Sequence, residues 1–161
     1  KATHVRDKLV EMNHLNESLF CATLACAHEG HAEPGGTWIV DALMANVFKY
    51  NIAHYPYVLA RLAQDIAGGL VVTLPSEADF RSPETGPLME KYYRGAAGST
   101  TENRMRILRL IEAMTMGAQA VGYLPESMHG AGSPQAQRIM IARLVNLKEK
   151  QRLAKHLCGI E

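Results

Sequence analysis

Ser99-Thr100-Thr101-Glu102-Asn103-Arg104-Met105-Arg106-Ile107-Leu108-Arg109-Leu110-Ile111-Glu112-Ala113-Met114 is the stretch on which the fold turns. Ser99 and Glu102 have the S-x-x-E spacing of a capping box, in which a hydroxyl accepts from an early helical N–H and the carboxylate reaches back to the cap. Beyond them Ile107, Leu110, Ile111, Met114 and Ala118 recur at the three- and four-residue steps of one helix face. The pattern predicts a helix through about Val121 with those residues turned to a core.

Upstream, Leu70 to Pro87 mixes a β-like run, Leu70-Val71-Val72-Thr73-Leu74, with Pro75, Pro83 and Pro87, and reads as an irregular excursion. A short helix near Leu88 to Tyr93 follows it. Before the excursion, Asp41 stands as an N-cap ahead of Ala42-Leu43-Met44 and opens a helix toward Ile66. Pro56 should kink or split that helix, since it lacks an N–H and clashes with the preceding turn. From Ala2 to about Ala27, Val5, Leu9, Met12, Leu19, Ala22 and Cys26 trace one long amphipathic helix, ended by Glu29-Gly30 and the turn-rich Pro34-Gly35-Gly36.

Downstream, Tyr123 to Gly132 reads as a polar, glycine-bearing break. Ser133-Pro134 then supplies an N-cap and a first-turn proline for a last helix with Met140, Leu144, Leu147, Ala154 and Leu157 on its buried stripe. Four main helices with little strand predict an all-α chain built as an antiparallel four-helix bundle. At 161 residues, 47% of them hydrophobic, one domain with one core is expected. Lys1 runs straight into the first helical pattern without a Met or a cap, which points to a segment of a longer polypeptide.

Charge is nearly balanced, 17 Lys and Arg against 16 Asp and Glu, so no basic stripe marks a nucleic-acid binder. No apolar run approaches the roughly 20 residues of a membrane span. Cys21, Cys26 and Cys158 form no CxxC pair and no even set, which argues for reduced thiols and a cytoplasmic protein. Cys21 and Cys26 lie about 140° apart on a helix and cannot share a ligand face. His28 and His31 have only Glu29 and Glu33 nearby, and structural or solvated roles are expected for all of these.

Two segments could carry chemistry. Glu126-Ser127-Met128-His129-Gly130-Ala131-Gly132-Ser133-Pro134-Gln135-Ala136-Gln137 places a carboxylate, an imidazole and two glycines just before a helix N-terminus, where free N–H groups favour an anion or an electron-rich ring edge. It reads equally as a well-capped interhelical turn. Gln64-Asp65-Ile66-Ala67-Gly68-Gly69 closes a helix with paired glycines that would let a ligand approach the backbone, with Gln64 in reach to hydrogen-bond it. Its other reading is a C-cap with a left-handed glycine.

Ala2-Thr3-His4-Val5-Arg6-Asp7-Lys8-Leu9, Asp65 to Leu70 with Thr73 to Glu77, Arg104 to Glu112, and above all Glu126 to Gln137 closely resemble the 4-hydroxybutyryl-CoA dehydratase family, a branch of the 4-hydroxyphenylacetate 3-hydroxylase superfamily. The resemblance covers essentially the whole chain. It implies an acyl-CoA-dehydrogenase-like architecture in which this chain is the C-terminal four-helix domain, packed on the N-terminal part of the same polypeptide. It also implies FAD, a [4Fe-4S] cluster and a homotetramer with flavin between subunits.

In that family the cluster ligands precede this segment, so Cys21, Cys26 and Cys158 are assigned to no metal. The implied reaction removes water from 4-hydroxybutyryl-CoA to give crotonyl-CoA, with an associated vinylacetyl-CoA delta-isomerase activity. Glu126 matches the family's active-site carboxylate and is expected to move a proton, ahead of His129. Gln64, Gly68, Gly69, Ser133 and Gln135 are expected to bind cofactor. The competing expectations are the flavin-using aromatic hydroxylase branch of the superfamily and a non-catalytic helical interaction domain.

Overall fold

A computed structural model of the chain describes residues 2–160. The expectation attached to Lys1 lies outside them. In order, the elements are α1 (Thr3–His28), β1 (His31–Ala32), β2 (Trp38–Ile39), α2 (Ala42–Ala67), a 3-10 helix (Gly68–Val72), α3 (Glu77–Arg81), α4 (Gly86–Tyr92), α5 (Thr101–Thr115), a second 3-10 helix (Ala118–Gly122), α6 (Pro125–Ala131), α7 (Pro134–Leu144) and α8 (Leu147–Leu157). The chain is all-α apart from the two-residue antiparallel hairpin, which pairs His31 with Ile39 and Ala32 with Trp38. No helix among the described residues is long and apolar enough to cross a membrane.

Two compact units share these elements: the chain up to Met12 with Pro56–Ser127, and Asn13–Tyr55 with the chain from Met128 onward. This departs from a single core. In the first unit Ala60, Leu62, Val71, Leu108 and Ala120 are buried together with Thr101 and Thr115. The side chains of α5 staple the excursion to it. Thr101, 1% exposed, donates from its hydroxyl to Glu90 Oε1 at 2.9 Å. Arg104 donates to the Tyr93 carbonyl at 2.7 Å, the Tyr93 hydroxyl to the Thr73 carbonyl at 3.1 Å, and Arg109 to the carbonyl of Pro75. Lys8 on α1 and Asp65 on α2 pair at 3.0 Å. Thr101→Val keeps the shape but removes the bond to Glu90, and should cost about 1 kcal/mol in denaturant unfolding. An unchanged midpoint would show that the staple is energetically idle.

In the second unit Leu15, Cys26, Ala53, Ala131 and Gln137 are buried. Asp41 caps α2 as its position predicts, its Oδ1 accepting from the Met44 N–H at 2.7 Å. The Asp41 N–H in turn donates to the Cys26 carbonyl at 3.1 Å, and the Trp38 indole N–H donates to the Ala27 carbonyl at 3.0 Å. These bonds fix the hairpin between α1 and α2.

Several expectations are corrected. The β-like run from Leu70 to Leu74 falls on a 3-10 helix, closed by the Thr73 N–H on the Leu70 carbonyl at 3.2 Å; β-branched residues make a strand only where another strand can pair with them. The α5 cap is Thr100, whose hydroxyl accepts from the Asn103 N–H at 3.1 Å. That shift moves Glu102 off the reach-back position, and Glu102 instead takes Arg106 at 2.8 Å. The helix stops at Thr115 because the N–H groups of Met116 and Gly117 both turn back to the Glu112 carbonyl. Pro56 does not split α2, which continues through it from Ala42 to Ala67.

The break from Tyr123 to Gly132 contains α6, started by Pro125 at its first position and held by the Ser127 hydroxyl on the Tyr123 carbonyl. The last helix is two helices. Val145 is extended, and Asn146 restarts the chain as an N-cap by accepting from the Glu149 N–H at 3.0 Å. The expected stripe on α7 and α8 is not buried: Met140, Leu144, Leu147 and Leu157 are exposed. On α5 the same holds for Ile107, Leu110 and Met114, while the unexpected Leu108 is buried. Periodicity located an apolar face, but this chain does not cover it.

Candidate active site

Gln64, Gly68 and Gly69 stand at the end of α2 in the first unit. Gly68 has φ of +68° and so closes the helix in the left-handed conformation that a side chain resists. Gly69 needs no such conformation, and a Cβ built on it meets nothing within 4 Å. Both glycines are exposed. The backbone here is therefore bare on an open side. Gln64 is half-buried and already committed in part, its Nε2 donating to the Thr115 carbonyl at 3.1 Å; the amide oxygen and the second N–H are what it has left to offer a ligand.

Glu126 belongs to the same unit on a different element, in the first turn of α6, with its side chain exposed. Among the described residues no ion pair involves it. His129 follows in the last turn of α6.

Ser133 and Gln135 belong to the second unit, where both are exposed at the start of α7. Ser133 does not fill the capping role expected of it, since its side chain makes no cap hydrogen bond. Pro134 has no N–H to satisfy, and the first free amides of α7 are left without a side-chain partner from Ser133. The residue that sequence reasoning missed is Gln137. It is 3% exposed and donates from Nε2 to the carbonyls of Ala131 and Gly132.

Two grooves lie in the first unit. One, of about 380 Å³, runs between α3 and α5 and is lined by Phe80, Met105 and the Arg81, Arg106 and Arg109 side chains. The other, of about 230 Å³, is nearly all apolar and is lined by Met12, Leu59, Ala63, Leu110, Met114 and Tyr123 among others. Neither is lined by a site residue expected from sequence. The polar side chains of the first groove are mostly spent on one another, Arg81 with Glu77 at 2.8 Å and Arg106 with Glu102 at 2.8 Å.

Burial raises the Tyr123 phenol above its ordinary value near 10. The sign follows directly: the unfolded chain ionises first, so the stabilisation is complete below about pH 10 and is lost as pH rises beyond it. Tyr123→Phe should therefore flatten the alkaline limb of the stability profile and leave it unchanged at neutral pH. A parent and variant that lose stability in parallel above pH 10 would contradict this.

Among the described residues, no group of three His, Cys, Asp or Glu is gathered to hold an ion. Cys21 and Cys158 are exposed and Cys26 is buried, all as free thiols.

A helical chain in this order has a known architecture. It superposes with a TM-score of 0.82 on the oxygenase component HpaB of 4-hydroxyphenylacetate 3-monooxygenase, over 98% of this chain and 33% of that one, and at 23% identity the likeness is one of fold. The family model described as 4-hydroxyphenylacetate 3-hydroxylase C terminal matches residues 1–159, and the chain belongs to that family. Within it, the chain is 55% identical to the 4-hydroxybutyryl-CoA dehydratase/vinylacetyl-CoA-Delta-isomerase of Clostridium aminobutyricum, over 100% of this chain and 34% of that protein. It is 58% identical, with a TM-score of 0.91, to an oxygen-tolerant archaeal 4-hydroxybutyryl-CoA dehydratase from N. maritimus, covering 32% of that chain. The chain thus spans about a third of the length of these relatives.

Proposed function

We propose that this chain is the C-terminal helical domain of a dehydratase that converts 4-hydroxybutyryl-CoA to crotonyl-CoA and isomerises vinylacetyl-CoA. The observation that carries the reading is 55% and 58% identity to dehydratases along the whole chain, against 23% to the oxygenase HpaB over 98% of it. The architecture is then the acyl-CoA-dehydrogenase-like four-helix arrangement, with the N-terminal part of the polypeptide supplying the rest of the enzyme.

FAD fits what these residues offer. Open space beside Gly68 and Gly69 admits a flat ligand against the backbone, and the Gln64 amide oxygen can accept from it. Ser133, Gln135 and the amides opening α7 provide donors for an electron-rich edge or a thioester oxygen. The flavin supplies redox chemistry that makes an otherwise non-acidic β C–H removable. Glu126 is the group of this chain that holds or moves a proton at the substrate; its exposure on α6 leaves the carboxylate available for that task. A [4Fe-4S] cluster does not fit the residues present, and no role of this chain is routed through one.

Assembly follows from the uncovered faces. Val10 is 61% exposed, Phe20 59%, Ile107 59% and Leu110 54%, more apolar surface than scattered single residues account for. The N-terminal part and further copies in a homotetramer are its proposed cover. The full-length protein should sediment as a tetramer and show flavin absorption as isolated, with iron–sulfur bands from its N-terminal part. A monomer that carries no flavin and takes up reduced flavin only from a separate reductase would favour the aromatic hydroxylase reading instead.

A further inference from the structure

We propose that Gln137 is a positioning residue: its side-chain amide locks the turn that presents Ser133 and Gln135. The inference rests on the reading that those two residues hold flavin. Gln137 is buried in the second turn of α7, and its Nε2 reaches the carbonyl of Ala131 and, at 3.2 Å, that of Gly132. Two carbonyl acceptors settle which end of the amide faces them, because only the NH2 can donate. The Oε1 atom then points elsewhere, buried and without a partner.

A buried acceptor left unsatisfied is costly, and an apolar side chain of the same length would avoid the cost. What an apolar side chain cannot do is hold two carbonyls at once. The carbonyl of Ala131 ends α6, where helical carbonyls lack internal partners. The carbonyl of Gly132 belongs to the peptide plane that carries the Ser133 N–H. Gly132 has φ of +88° and its N–H returns to the His129 carbonyl at 3.0 Å. A glycine in that conformation is the freest joint in the segment. Pinning the peptide planes on both sides of it fixes where Ser133 leaves the turn, and Pro134 holds the next φ.

The test uses the full-length enzyme with Gln137→Met, which keeps length without polarity, and Gln137→Glu, which keeps shape but loses both N–H donors. Ser133→Ala and Gln135→Ala serve as references for the flavin reading. In both Gln137 variants the two hydrogen-bonded amides of this turn, those of Gly132 and Gln137, should exchange with solvent at least about tenfold faster. FAD should dissociate with a Kd raised about 10- to 100-fold, the range by which affinity falls when a residue supporting a metal ligand is lost, and the visible flavin bands should shift. Unchanged amide exchange overturns the proposal whatever the flavin does. Faster exchange with the parent Kd and flavin spectrum, while Gln135→Ala weakens binding, reduces Gln137 to packing and overturns its positioning role. Normal flavin binding in Ser133→Ala and Gln135→Ala sinks the flavin reading separately, and amide exchange still decides whether Gln137 locks the turn.

Discussion

Glu126→Gln in the full-length protein is expected to slow dehydration by about two to four orders of magnitude, the usual cost of losing a general acid or base. The substitution keeps size and hydrogen-bonding capacity and removes only the ionisable carboxylate. The structure makes this a clean experiment. Glu126 is exposed in the first turn of α6, so no buried network collapses with it, and a surface change of this kind alters stability by about 0.5 kcal/mol or less. Flavin content and tetramer should be unaffected. A variant that dehydrates substrate at the parent rate would make Glu126 structural and remove this chain's proton-transfer residue.

Gly69→Val should strip flavin from the enzyme while leaving the domain folded. The two effects separate because a Cβ at Gly69 meets nothing within 4 Å. A clash of that first added carbon must come from a ligand or from another part of the assembled enzyme. Inserting bulk into a filled contact costs about 1–3 kcal/mol, which corresponds to roughly 5- to 150-fold in Kd. Gly69→Ala should give the weaker form of the same loss. Thermal unfolding of the flavin-free protein should be close to that of the parent; if Gly69→Val retains normal flavin affinity, the open backbone faces solvent and the assignment fails.

How far the sequence could be read depends on what each signal measures. Asp41 was legible as a cap because one capping residue precedes an uninterrupted apolar pattern, and its carboxylate does bond the Met44 N–H. At the start of α5 two hydroxyls adjoin, Ser99 and Thr100, and spacing chose the wrong one. The choice belongs to the turn that delivers the chain into the helix, which sequence spacing does not encode. Leu108 and Ile107 show the same limit on a larger scale. Periodicity marks an apolar stripe but not its partner, and a chain that spans a third of its relatives leaves faces for other parts to cover. Val145-Asn146 was passed over because the apolar steps continue in phase across it, though Asn146 is itself a cap residue.

For the candidate site, sequence offers segments: the glycine pair and the stretch from Glu126 to Gln137. The structure leaves Gly69 bare and Glu126 exposed, and the roles proposed for them await the substitutions above. Gln137 lies inside that stretch with nothing in its neighbours to distinguish it. A glutamine carries no sign of burial in its sequence context, and its bonds to Ala131 and Gly132 appear only once α7 has turned back on α6.

Product formation by the full-length protein given 4-hydroxybutyryl-CoA, without oxygen or an added reductase, decides the dehydratase reading. Crotonyl-CoA should form with no net consumption of an electron donor. Failure to form crotonyl-CoA, together with hydroxylation of a phenol when oxygen and reduced flavin are supplied, would contradict it and place the chain in an aromatic hydroxylase.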